Sequence, residues 1–202
     1  MSEHLVRFDR NIRRVDNLCT LFERAKESPR RPSITEADIL RAAVVFLHSS
    51  FEDYFRGVLS QWLPIKGDEK ALDKISLLNS ENRAEKFPLG TLKAFEDMTV
   101  AELISKSIQQ HMQRVSFNNM TDICTWGKKI GLDFDEFSEK ELVNNMIGRR
   151  HKIVHEADAN QSSGKGNHQA ASINITTVRA WESATINLVS VIDAQITEWE
   201  NT

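Results

Sequence analysis

The sequence predicts an all-α fold, a bundle of about five to seven helices. Apolar residues recur at steps of three and four along most of the 202-residue chain, which is the spacing of one helix face. The four prolines and eight glycines fall mostly between these periodic segments, and few stretches alternate as strands do. A chain of this length builds one sizeable core, so we expect a single domain over residues 1–202.

The first half of the chain predicts two long helices. An apolar stripe from Leu5 to Phe22 predicts an N-terminal helix within residues 1–28. Its other side carries a row of arginines: Arg7, Arg10 and Arg14. A solvated face is the favoured interpretation of this row, and binding to the RNA backbone is the less favoured one. From Ser33 to about Trp62, before Pro64, the chain is at its most apolar and predicts the central helix.

The middle of the chain is less regular. A short helix is expected at "EKALDKISLL", and two further helices at "TVAELISKSIQQHMQRVS" and "NMTDICTWGKKIG". Gly131 is expected to end the second of these as a C-terminal cap.

Ser138 followed by Glu141 has the spacing of a capping box, which predicts a helix from there to about Ala157. The polar residues 158–173 show no periodicity, so we expect a flexible loop. Helical spacing returns in the last segment, "NITTVRAWESATINLVSVIDAQITEWE".

Charge and cysteine content exclude several classes of protein. A net charge of -3 argues against coating nucleic acid by bulk electrostatics, so any such contact must be local. The N-terminal residues lack the apolar run of a signal peptide, and no segment is apolar enough for a membrane span, so we expect a cytoplasmic protein. Cys19 and Cys124 belong to no C-x-x-C pair and are expected to be buried thiols.

The helix that contains "IGRRHKIVHEAD" has two chemically different faces. With roughly 100° per residue, Arg150 falls near the middle of the apolar face. A buried charge without a partner costs several kcal/mol, so Arg150 requires an acid. Glu52, on the shoulder of the central helix's apolar stripe, is the first candidate.

The opposite face collects Asn144, Gly148, His151, His155 and Asp158. Gly148 leaves room for a partner helix or a phosphate to approach. Three interpretations compete for this row. The first is a metal site, since the histidines are four residues apart; the second is a solvated basic helix end; the third is metal-free acid–base chemistry on a phosphodiester. No further ligand cluster supports the metal site, and neither a metal nor another cofactor is expected.

The run from Arg150 to His155 fits R-x4-H, and it resembles the motif of HEPN domains (higher eukaryotes and prokaryotes nucleotide-binding). The resemblance extends to the RiboL-PSP branch of that superfamily through three segments: "ILRAAVVFLHSSFEDYFRGVL", "RVSFNNMTDICTWGKKIGLD" and "RRHKIVHEAD". It covers most of the chain, from roughly Ile34 to Trp199.

The resemblance implies a homodimer whose composite site cleaves RNA without a metal, through attack of the 2′-hydroxyl on the adjacent phosphate. It implies that His155 moves the proton and that Arg150 orients the site or stabilises the phosphate charge. His151 occupies a position where many members have asparagine or aspartate, so its role as proton donor or hydrogen-bond partner stays open. It also implies a toxin or an anti-phage effector, with an antitoxin or a nucleotidyltransferase as the expected partner.

Two questions remain open from the sequence. Arg150 and His155 are roughly 140° apart on the helix, so Arg150 must wrap round, act on the partner's site, or serve structurally while Arg149 meets the phosphate. The motif favours Arg150, and expected exposure favours Arg149. The alternative to a ribonuclease is a non-catalytic helical module that binds a protein partner or a nucleotide through the polar face.

Overall fold

The computed structural model describes residues 2–25, 32–80, 89–158 and 170–201. The described residues form seven α-helices and one 3₁₀ helix, with no β-strand among them, which confirms the all-α prediction. The α-helices are α1 (Glu3–Ala25), α2 (Ile34–Lys66), α3 (Glu69–Leu72), α4 (Val100–Met112), α5 (Met120–Lys128), α6 (Lys140–His155) and α7 (Ile175–Glu200), and the 3₁₀ helix spans Leu89–Phe95. None of the described helices is long and apolar enough to cross a membrane.

The chain divides into two compact units. The first unit comprises Met1–Tyr54, Asn118–Met120 and Phe134–Thr202, and the second comprises Phe55–Phe117 and Thr121–Asp133. Helix α2 contributes its first part to one unit and its last part to the other. The single domain over residues 1–202 stays a prediction.

Helices α1, α6 and α7 pack together in the first unit, where α7 contacts both of the others. Helix α1 places four apolar side chains in the core at helical spacing, as its stripe predicted: Phe8, Val15, Cys19 and Phe22. Arg179 of α7 joins this packing by an ion pair of 2.6 Å to Asp16 of α1. The predicted N-terminal helix is therefore confirmed for the described residues, while 26–28 lie outside them.

The second unit contains an aromatic contact and a well-formed helix cap. The rings of Phe55 and Phe117 meet edge to face with centroids 4.9 Å apart. Helix α4 begins with a capping box in which Thr99 and Glu102 each bond the other's backbone N–H. Gly131 has φ +88°, so the prediction that a left-handed glycine ends the α5 segment is confirmed.

Three predicted boundaries are wrong. Helix α2 continues through Pro64 to Lys66, because a proline near a C-terminus removes few hydrogen bonds, and Gly67 N–H still donates to the Leu63 carbonyl at 2.9 Å. The box expected from Ser138 does not form, since α6 starts at Lys140 with Glu139 as N-cap and no side-chain cap bond.

Helix α6 ends at His155 rather than near Ala157, because Ala157 and Asp158 adopt left-handed φ values of 48° and 54°. Of the expected flexible loop 158–173, residues 159–169 lie outside the described residues. Its ends are anchored, because the Ala171 N–H donates to the Asp158 carbonyl at 2.8 Å and Ile173 is buried.

Candidate functional site

Helix α6 separates a core face from a solvent face. Val143, Met146 and Ile147 are buried against the first unit's core, which confirms the predicted apolar side. The last turn departs from that pattern, since Val154, expected in the core, is 47% exposed. The solvent face carries four side chains or positions that the sequence singled out: Asn144, Gly148, His151 and His155.

The two histidines form an exposed pair at the C-terminal end of α6. The ring centroids of His151 and His155 are 4.6 Å apart, and the planes are tilted by 44°. A Cβ built on Gly148 would meet nothing within 4 Å, so the surface beside the pair is open. No group of three or more His, Cys, Asp or Glu side chains that could hold a metal occurs in the described part of the chain. Two imidazoles at this distance can offer one proton acceptor and one proton donor to the same substrate.

Asp158 does not belong to the histidine row. Its side chain is 1% exposed, and its Oδ2 accepts hydrogen bonds from Arg149 Nη2 at 2.8 Å and from Arg41 Nε at 2.7 Å. Both arginines also donate to the Ala171 carbonyl, at 2.9 Å each. The role of Asp158 considered from the sequence, as an outward metal ligand, is therefore wrong: it is the counterion of two arginines.

This arrangement places the adjacent arginines in different environments. The Arg149 side chain is 17% exposed, and its Nη2 also donates to the Ser172 carbonyl at 3.1 Å. Arg149 is therefore held by Asp158 and by the backbone that leads into α7. The structure therefore does not show the exposure that favoured Arg149 as the phosphate contact in the sequence.

Among the described residues, Arg150 forms no ion pair like that of Arg149. Its Nε is buried without a hydrogen bond, and among the described residues it forms no ion pair with Glu52. The Glu52 carboxylate lies instead 3.7 Å from His48 Nδ1, one turn earlier on α2. The expected pair of Arg150 and Glu52 is wrong, because Arg150 is only half-buried and so does not require a buried carboxylate.

Asn144 contributes to the local fold. Its Oδ1 accepts a hydrogen bond of 3.0 Å from the Met120 N–H, at the first residue of α5. The side chain thus satisfies one of the backbone donors that a helix start leaves unpaired. Although Asn144 is exposed on the histidine face, it is already used as a cap for a neighbouring helix.

Arg41 is a member of the cluster that the sequence did not single out. It lies on α2, 117 residues from Asp158, and its side chain is 11% exposed. The sequence feature that could have identified Arg41 was its position within the most apolar helix, because a buried arginine requires a buried acid as its partner. In the segment after α6, Lys165 and His168 have side chains of the kind that contact RNA, but both lie outside the described residues.

Comparison with known proteins gives one match. The model of the RiboL-PSP-HEPN family matches residues 9–198. No curated protein and no solved structure matches the chain.

Proposed function

The chain belongs to the RiboL-PSP-HEPN family, and from this premise we propose that it is a metal-independent endoribonuclease. The observation that carries the proposal is the exposed pair of His151 and His155, 4.6 Å apart beside the open surface at Gly148. Imidazoles exchange protons near neutral pH, which is what cleavage of RNA without a metal requires.

The proposed reaction is an internal transfer at one phosphodiester. A histidine accepts the proton of the 2′-hydroxyl, and the oxygen attacks the adjacent phosphorus. The bond to the 5′-oxygen breaks, and that oxygen takes a proton from a second histidine. The products are a 2′,3′-cyclic phosphate and a 5′-hydroxyl. DNA lacks the nucleophile, so it is not a substrate.

Arg150 is the arginine that we assign to the phosphate. Charge on the non-bridging oxygens grows as the 2′-oxygen attacks, and a guanidinium stabilises it through two parallel N–H donors. Nε is buried without a hydrogen bond in both arginines, but Arg149 Nη2 is already held by Asp158 at 2.8 Å, and no comparable ion pair of Arg150 occurs among the described residues. Arg149 then serves to hold the end of α6, together with the segment at Ala171.

A homodimer completes the proposed site. Because Arg150 and His155 point in directions roughly 140° apart on one helix, two copies of α6 supply the groups that one copy does not bring to the same point. Gly148 lets the two helices approach closely. We extend the proposal to a cytoplasmic toxin or anti-phage effector restrained by an antitoxin or a nucleotidyltransferase partner.

The test is cleavage of RNA by purified protein in excess EDTA. The native protein is expected to release fragments whose 5′ ends accept phosphate from a kinase without prior phosphatase treatment. His155→Ala should lower the rate at least about a hundredfold, because it removes a proton-transfer group. A 2′-deoxy nucleotide at the cleaved position should block cleavage there.

Asn145→Ala is the matched control, since Asn145 is exposed on α6 outside the histidine row. It should cleave at the native rate. Cleavage that EDTA abolishes, or that His155→Ala leaves unchanged, would reject metal-free histidine catalysis. If neither variant nor native protein cleaves RNA, the alternative of a non-catalytic binding module takes its place.

A further inference from the structure

A lysine-lined pocket lies in the second unit, whereas the residues proposed for catalysis belong to the first. It has a volume of about 630 Å³ and is formed by the junction of α2 with α3 and by the end of α5. Five of its lining residues are lysines: Lys66, Lys70, Lys74, Lys128 and Lys129. Lys70, Lys74 and Lys128 are exposed, so their ammonium groups can meet a ligand in solution.

The acid in the lining does little to neutralise this charge. Asp68 is the carboxylate among the lining residues, and it accepts a hydrogen bond of 2.7 Å from the Ala71 N–H as the N-cap of α3. Burial, with the nearby charge of Lys74, lowers the pKa of Lys129, while Asp68 opposes that shift. The charge of Lys74 thus disfavours the charged form of Lys129, and a bound anion would favour it.

Aromatic rings flank the lysines. The Lys129 ammonium lies 4.9 Å from the centre of the Trp126 ring, and Lys66 lies 5.9 Å from that of Trp62. Trp126 is half-buried and also lines a neighbouring polar pocket of about 410 Å³, together with His111 and Arg114. A partly exposed indole beside a row of cations is the combination that binds single-stranded nucleic acid, with phosphates on the cations and a base on the ring.

We propose that this surface, defined as the lysine pocket with Trp126, binds the sugar-phosphate backbone and one base of single-stranded RNA. That this RNA is also the substrate rests on the proposed function. Five cations in an open pocket suit several successive phosphates, and because the whole chain's charge is -3, such attraction depends on local clusters of cations like this one. A carboxylate-rich protein segment would satisfy the lysines but would have no base to stack on Trp126.

The experiment measures affinity separately from cleavage. A fluorescent single-stranded RNA of about 20 nucleotides is titrated with the full chain carrying His155→Ala, at several salt concentrations. Adding Lys74→Ala and Lys128→Ala should weaken binding roughly tenfold and lower the slope of log K against log salt by about 1.4, or about 0.7 for each lost phosphate contact. Both lysines are exposed, so the protein should fold normally.

The matched control removes two positive charges elsewhere in the same unit. Lys93 and Lys106 are exposed and do not line the pocket. Their double alanine variant should keep the native affinity and slope. Trp126→Leu should weaken binding about tenfold at an unchanged slope, because stacking releases no counterions, and Trp126→Phe should restore most of the affinity.

The proposal is overturned if the Lys74 and Lys128 variant binds RNA as its control does. It is also overturned if polyaspartate displaces the RNA while Trp126→Leu binds normally, which would assign the pocket to an acidic protein. With His155 restored, the lysine variant should cleave with a higher KM and the native kcat. If RNA binding depends on the lysines but the protein cleaves no RNA, the ribonuclease proposal is rejected and the RNA-binding pocket stands. If the protein cleaves RNA but the lysine variant binds RNA with native affinity, the pocket proposal is rejected and the ribonuclease stands.

Discussion

Asp158→Asn tests whether the buried arginine cluster stabilises the end of α6. Asparagine keeps the size of the side chain and tolerates the φ of 54° at this position, so the substitution removes the charge with little backbone strain. It leaves Arg41 and Arg149, whose side chains are 11% and 17% exposed, without their shared carboxylate. Removing one member of a buried ion pair costs about 3–5 kcal/mol, and we expect a loss of that size in the free energy of unfolding.

Asp53→Asn is the control that separates the effect of burying an ion pair from the effect of losing one. Asp53 Oδ2 lies 2.6 Å from Arg7 Nε, almost the same bond as that between Asp158 Oδ2 and Arg41 Nε at 2.7 Å, but its side chain is 45% exposed. Water replaces such a carboxylate readily, so this variant should lose about 0–1 kcal/mol. Urea titration followed by circular dichroism measures both. Equal losses for the two variants would refute the claim that the Asp158 cluster is a buried electrostatic anchor.

Three further predictions concern single side chains. Gly148→Ala should raise the free energy of unfolding of the monomer by about 0.5–1 kcal/mol, because the added Cβ meets nothing within 4 Å, whereas Gly148→Leu should weaken the proposed dimer in sedimentation analysis. Arg150→Met should abolish RNA cleavage and keep the native Tm, while Arg149→Met should lower the Tm, as thermal denaturation would establish. Burial raises the pKa of the Cys19 thiol to about 11, so at about pH 8 it stays protonated, and Ellman's reagent should modify it only after urea is added.

The sequence predicted helices most accurately where local spacing and local backbone preference determine the structure. The stripe of α1 and the glycine end of the α5 segment are confirmed because both depend on local spacing and local backbone preference. The limits of α2 and α6 depend on contacts that local rules omit. Glu139 caps α6 in place of Ser138, and its carboxylate accepts a hydrogen bond of 2.7 Å from Asn187 of α7, 48 residues later.

The site shows where helical projection stops being valid. Placing residues at 100° each put Asp158 in the outward row with His151 and His155, but α6 ends at His155. Two left-handed residues then turn the chain, and Asp158 is buried instead. The exposed histidines, which lie within the helix, were projected correctly. The lysine pocket was not foreseen, because its members belong to segments more than 50 residues apart.

The adjacency of Arg149 and Arg150 now has a physical interpretation. Neighbouring residues on a helix differ by about 100° in direction, so two arginines in succession do not duplicate each other. Arg149 points towards Asp158 and pairs with it. The Asp158 carbonyl also accepts a hydrogen bond of 2.8 Å from the Ala171 N–H, which joins the two ends of the segment that follows the histidines. The other direction is that of Arg150, for which no ion pair occurs among the described residues and whose Nε is buried without a hydrogen bond. A buried pair that fixes α6 allows its neighbour to keep an uncompensated charge, which is the property that a phosphate-binding residue needs.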